Sequence, residues 1–163
     1  MRSQRARGRT PRVRTCAGLF LLGTLTIGCA ARAPQLVVGA GPGDLRAFLA
    51  AHAPAPQQEI RADEIGRTTT ASYHVVQVRG AERPHLHASH DLTVVVLEGR
   101  GTLRREGTAP LALAAGDAVV IPRGQVHWFT REGSEPAVAL VTFAPPLDAP
   151  DTVPAPGATA SPR

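Results

Sequence analysis

The stretch "GDAVVIPRGQVH", Gly116–His127, holds an apolar run that stops abruptly at Pro122-Arg123-Gly124. Proline fixes φ near one value and has no N–H to give to a β-ladder. Glycine two residues later admits backbone angles closed to other residues. The chain must therefore reverse between Pro122 and Gly124, and a second β-type run, "QVHWFTR" (125–131), begins there. The turn carries His127 back toward the chain that precedes it.

Working outward, the chain contains six histidines, and three of them fall in "ERPHLHASHD", Glu82–Asp91. Residues two apart in a strand share a face, so His85 and His87 project together. With His127 returned to the same neighbourhood, three imidazoles can converge on one ion at roughly 2.0–2.1 Å. His85, His87 and His127 are thus the candidate metal ligands.

These two segments together resemble the cupin family, whose motifs are G-x5-H-x-H-x3–4-E-x6-G and G-x5-P-x-G-x2-H-x3-N. The second is matched by Gly116, Pro122, Gly124 and His127, with Arg131 in place of the final Asn. The first is matched by His85, His87 and Gly99, with Gly80 one residue close. The resemblance covers roughly residues 70–145 and resembles small single-domain bacterial members. It implies an all-β fold, a cupin-type conical jelly-roll barrel with the histidines inside, preceded here by a short N-terminal helix.

One position departs from the motif. Leu92 stands where the family has its metal-binding glutamate. Asp91 lies immediately before it and His90 two positions before it, and these are the candidates for a fourth ligand; strand parity places His90, not Asp91, on the face of Leu92, and a bulge would reverse that. Asp91 can equally support a ligand imidazole through a hydrogen bond. Three imidazoles with open positions suit a divalent transition metal, Fe, Mn, Ni, Cu or Zn, without choosing among them. A carboxylate ligand would favour dioxygenase chemistry; without one, Lewis-acid isomerisation or plain ligand holding remains. Glu82 and Glu98 read as exposed turn residues, so no acid/base pair is evident. His74 reads as a satisfied core or surface histidine and His52 as a helix-end surface residue. Arg83, Arg100 and Arg123 read as solvated turn charges. Tyr73, Trp128 and Phe129 read as packing residues, with Phe129 on the His127 face by parity.

The remaining chain supplies the context. Runs at 72–78, 91–99, 101–106, 110–117, 118–122, 125–131 and 137–144 read as short strands separated by Gly-rich turns. Asp44 caps an expected helix, "LRAFLAAH", with Leu45, Phe48 and Leu49 on one face. All eighteen basic side chains are arginine, and six of them precede residue 15. An uncharged apolar stretch follows and ends at Leu25-Thr26-Ile27-Gly28-Cys29, which resembles the lipobox of bacterial lipoproteins. Residues 1–28 are therefore expected to be an export signal, Cys29 the lipid-bearing residue and 29–43 a tether. The barrel domain is expected over 44–148, and 149–163 as a proline-rich irregular tail whose loss the fold tolerates. Without the signal, twelve arginines face all thirteen acids, near −1. The basic pI belongs to the signal, and nucleic-acid binding is not expected. Neither Cys16 nor Cys29 is left for a disulfide. The expectation is a lipid-anchored cell-envelope protein, on the outer membrane in a Gram-negative host, binding or converting a small molecule at a metal. Its alternatives are a non-catalytic ligand-binding or homodimerisation module and a metal-dependent dioxygenase or isomerase.

Overall fold

The structure, a computed structural model, describes residues 35–38 and 41–157. The expected export signal, Cys29, part of the tether and the tail beyond residue 157 lie outside the described residues. Among the described residues no helix is long and apolar enough to cross a membrane.

The architecture is mostly β, as the strand spacing predicts. β1 (Gln35–Val38) and β2 (Gly41–Asp44) form a small antiparallel ladder within the stretch expected to be a plain tether. The β-prone run Leu36-Val37-Val38, followed in sequence by glycines suited to a chain reversal, accounts for that correction. α1 (Leu45–Ala51) follows. The Asp44 side chain accepts hydrogen bonds from the amides of Arg46 (2.8 Å) and Ala47 (3.4 Å), which would otherwise be orphaned. Leu45, Phe48 and Leu49 pack together against Val75 and Val138.

Two five-stranded antiparallel sheets make the body. One comprises β3 (Ile60–Arg67), β4 (Ser72–Val78), β11 (Ala137–Ala144), β6 (Asp91–Glu98) and β9 (Ala118–Ile121), in that spatial order. The other comprises β12 (Thr152–Pro154), β5 (His85–His87), β10 (His127–Arg131), β7 (Arg100–Arg105) and β8 (Leu111–Ala114). Period-two alternation decides which side chains go inside. Leu92, Val94 and Val96 of β6 and Ala139, Val141 and Phe143 of β11 all face one cavity. On β4, Val76 lines that cavity while its neighbour Val75 meets the helix cluster. Leu92, Leu103, Leu113, Ile121 and Phe143 join residues of both sheets in the main core.

The tail is the main departure from expectation. β12 pairs with β5 in the register Thr152↔His87 and Pro154↔His85, so residues read as irregular form the outer neighbour of the histidine strand. Proline is compatible with this because β12 is an edge strand. Just before β12, half-buried Asp151 accepts from the Ser89 amide (3.1 Å), the Ser89 hydroxyl (3.0 Å) and His90 Nδ1 (2.5 Å). Burial opposes ionisation of Asp151, but the hydrogen bonds from His90 and Ser89 outweigh it and hold its carboxyl at about 2. Deleting residues 151–163 should therefore lower the thermal midpoint, by about 2–4 °C for each kcal/mol lost in a chain of this length. Calorimetry of the shortened chain checks this; an unchanged midpoint would mean that β12 contributes nothing.

Candidate metal centre

His127 opens β10, and its position follows from the turn before it. Gly124 adopts φ +77, a left-handed conformation that favours glycine. Its amide donates to the His87 carbonyl (2.7 Å), while the Gln125 amide donates to the Pro122 carbonyl (3.1 Å). The Pro-x-Gly turn is thereby fastened to the histidine strand, and His127 stands opposite His85 in the β10–β5 ladder.

The three imidazoles meet. Each of His85, His87 and His127 offers a ligand atom within 4.8 Å of the others. Their ring centroids are 4.4 Å (His85–His127), 5.2 Å (His85–His87) and 5.5 Å (His87–His127) apart. Two nitrogens each bound at roughly 2.0–2.1 Å can lie up to about 4 Å apart across an ion, so small ring rotations suffice. Two of the tautomers are set by the backbone. His85 Nδ1 lies 2.7 Å from the Arg83 carbonyl and His127 Nδ1 2.9 Å from the Gln125 carbonyl. A carbonyl only accepts, so both Nδ1 atoms carry the proton and both Nε2 lone pairs are free for a metal. His87 Nδ1 is buried with no hydrogen-bond partner, and Asp151 Oδ2 lies 4.0 Å away. A buried ring nitrogen without a partner is costly. A metal held at Nδ1 would remove the deficit, and one held at Nε2 would leave Nδ1–H on the side of Asp151. The donor set and this orphaned nitrogen both fit a divalent transition metal.

Asp91 and His90 have other partners. Both Asp91 oxygens are engaged by Arg123, through its amide (2.9 Å), Nε (3.2 Å) and Nη2 (2.7 Å). Those hydrogen bonds hold the Asp91 carboxyl down at about 2. Arg123 is accordingly paired rather than simply solvated. His90 is buried, as parity with Leu92 requires, but its Nδ1 binds Asp151 and its Nε2 lies 3.3 Å from the Pro146 carbonyl. The structure brings neither residue into the three-histidine cluster. His74 is buried, hydrogen-bonded to the Ser72 hydroxyl at 2.9 Å and set edge-on to Phe143. His52 caps α1, stacks on Phe48 and lies 3.1 Å from Asp63. Arg131, at the motif's Asn position, donates through Nε to the Arg79 carbonyl (2.5 Å).

The cluster opens onto a cavity of about 1440 Å3 between the two sheets. Phe129 lines it, as its parity with His127 predicts. Gly101 makes room for that ring, since a Cβ there would come within 2.3 Å of Phe129 Cζ. Glu82 corrects the reading of an exposed turn acid: it lines the same cavity. Residues 80–82 run alongside β10, where Arg131 N donates to Gly80 O (3.0 Å) and Glu82 N to Phe129 O (2.8 Å). Glu82 Oε2 in turn accepts from the Phe129 amide (2.9 Å). Part of the residue remains accessible, but its carboxyl sits deep enough that burial raises its pKa, against the pull of His85 and the Phe129 amide. Pro84 breaks the strand between Glu82 and His85, so parity counted back from His85 does not locate it.

A model of the cupin domain matches residues 72–143, which hold all three histidines. The chain belongs to the cupin superfamily. An uncharacterised protein of Aquifex aeolicus strain VF5 is 41% identical over 96 residues, which span 59% of this chain and 78% of that one. Among solved structures, KdgF from a Halomonas species is 26% identical with TM-score 0.51, covering 55% of this chain and 82% of its own. TT1209 from Thermus thermophilus is 27% identical with TM-score 0.51, over 60% of this chain and 94% of its own. A conserved protein of Klebsiella pneumoniae with a double-stranded β-helix domain shares the fold at 21% identity and TM-score 0.56, over 66% and 94%.

Burial, reinforced by the neighbouring histidine charges, pushes the His87 pKa down to about 4, and burial above all does the same to His127. In the unfolded chain both titrate near 6.5. Between these values the unfolded state binds more protons, so this part of the stability is intact above about pH 6.5 and drains away as pH falls toward about 4. Metal-free protein should show a denaturation midpoint that declines across that window. The double variant His87→Asn/His127→Asn should show a flatter profile; an equal slope would mean that these rings do not carry the effect.

Proposed function

We propose that this cupin binds one divalent transition metal through His85, His87 and His127 and presents it to a small molecule held in the barrel. The observation that carries the reading is the convergence of three imidazoles, two with Nε2 left free by backbone hydrogen bonds, at the wall of the cavity between the two sheets. Iron, manganese, nickel, copper and zinc all remain compatible with the donor set. Bound there, such an ion supplies Lewis acidity to an oxygen of the small molecule. The chain's own residues do the rest. The Arg83 and Gln125 carbonyls hold the ring orientations of His85 and His127, and apolar side chains line the cavity beyond them.

Glu82 favours conversion over simple holding. Its carboxyl lies in the cavity, keeps Oε2 on the Phe129 amide and has no salt-bridge partner among the described residues. A carboxyl whose pKa is raised by burial can take a proton from, or return one to, a bound molecule. The proposed reaction class is therefore proton transfer on a metal-held small molecule, as in an isomerase or lyase. A dioxygenase would draw support from a metal-bound carboxylate, and neither Asp91 nor His90 joins the cluster.

The proposal includes attachment to the cell envelope through a lipid on Cys29, outer-membrane in a Gram-negative host. Its support is the arginine-rich start, the apolar run and the small residue before the cysteine.

Two measurements test these readings. Untagged protein titrated with Co(II) or Zn(II) should bind about one ion per chain. His87→Ala should weaken that at least tenfold, while His74→Ala and His52→Ala leave it unchanged; undiminished binding in His87→Ala would remove the proposed centre. Separately, cells expressing the protein should incorporate labelled palmitate into it, and Cys29→Ser should abolish the label. Persistent labelling of the variant would refute the anchor.

A further inference from the structure

We propose that the barrel's ligand is an apolar molecule with a single oxygen-bearing head, an aliphatic or aromatic body ending in a hydroxyl, carbonyl or similar chelating group, and not a sugar acid, nucleotide or other polyanion. The head rests on the metal reading above; the body rests on the walls alone. Those walls include Val94, Leu103, Leu113, Ile121, Phe129 and Phe143, drawn from both sheets, and none offers a side-chain hydrogen-bonding group. The three histidines converge within 4.8 Å, Glu82 reaches the Phe129 amide two residues along β10 from His127, and the other polar lining residues, Gln57, Glu59, Arg83 and Thr152, are exposed. Polar and apolar surface are therefore segregated, which matches a ligand that is itself segregated.

Charge argues the same way. The chain has no lysine, and the one arginine lining the cavity among the described residues, Arg83, is exposed. A ligand carrying several anionic or hydroxyl groups would bury most of them against aliphatic walls, because away from the histidines the side-chain donors of the lining, Gln57, Arg83 and Thr152, are all exposed residues, and that burial carries a steep cost. Each methylene laid against such walls instead strengthens binding by roughly fourfold. The cavity, about 1440 Å3, exceeds the roughly 300–1,000 Å3 common for small-molecule sites, so a body of several carbons fits.

The test uses the full chain in detergent, loaded with Co(II), whose visible spectrum reports ligand entry. Acetohydroxamate, hexanohydroxamate and gluconate are titrated in turn. Hexanohydroxamate should bind at least thirtyfold more tightly than acetohydroxamate, and gluconate more weakly than either. Val94→Thr/Val119→Thr, near-isosteric changes in the wall, should cut the hexano preference about tenfold and leave acetohydroxamate unaffected. Equal affinity for the two hydroxamates, tighter binding of gluconate, or a preference unchanged by the wall variant would overturn the assignment. Should the chain take up no cobalt in a His87-dependent way, the metal reading fails by itself. The wall assignment is then decided on the metal-free chain by saturation-transfer NMR with hexan-1-ol and gluconate. Hexan-1-ol must receive saturation that the wall variant loses, and transfer to gluconate alone would refute the proposal.

Discussion

The hydrogen bond from the Gly124 amide to the His87 carbonyl, 2.7 Å long, is the contact on which the site depends. It joins two segments far apart in sequence, the H-x-H strand and the Pro-x-Gly turn, and Gly124 must hold φ +77 to make it. The β5–β10 ladder contributes only the His127↔His85 pair, so sheet pairing alone constrains the meeting point weakly. With the turn fastened to His87, the ladder fixes His127 beside His85, and the three rings face one point. The free Nε2 atoms of His85 and His127 then follow from local geometry, since each ring donates Nδ1–H to the carbonyl two residues before it.

The opposite side of the histidine strand is held by the C-terminal segment. β5 is three residues long and would be a sheet edge without β12 beside it. Asp151 ties this segment to Ser89 and His90 and leaves a carboxylate oxygen 4.0 Å from the unpartnered Nδ1 of His87. The histidine strand thus lies between β10 and a strand from the far end of the chain. Fold stability and ligand orientation are coupled through the same few residues.

How much of this is legible in the sequence depends on whether the signal is local. The Pro122–Gly124 turn, the shared face of His85 and His87, the Asp44 cap and the inward face of Phe129 each follow from a residue type and a spacing, and each is found in the structure. Parity also puts Asp91 on the face opposite Leu92; its partner Arg123 is not legible, because the pair joins the first residue of β6 to the turn after β9, which only the fold brings together. Glu82 escapes a parity argument because Pro84 resets the strand and because its partner, the Phe129 amide, lies on another strand. The proline content of the tail excludes a central strand but permits an edge one. Long-range pairing, invisible in composition, decides both cases.

The central claim is that three imidazoles share one ion. X-ray absorption spectroscopy of protein loaded with one equivalent of Zn(II) or Co(II) addresses it directly, because the imidazole multiple-scattering pattern counts the rings around the metal. Three histidine nitrogens at roughly 2.0–2.1 Å are expected, with the remaining positions filled by light oxygen ligands. A metal shell containing one imidazole or none would contradict the convergence on which the site is built.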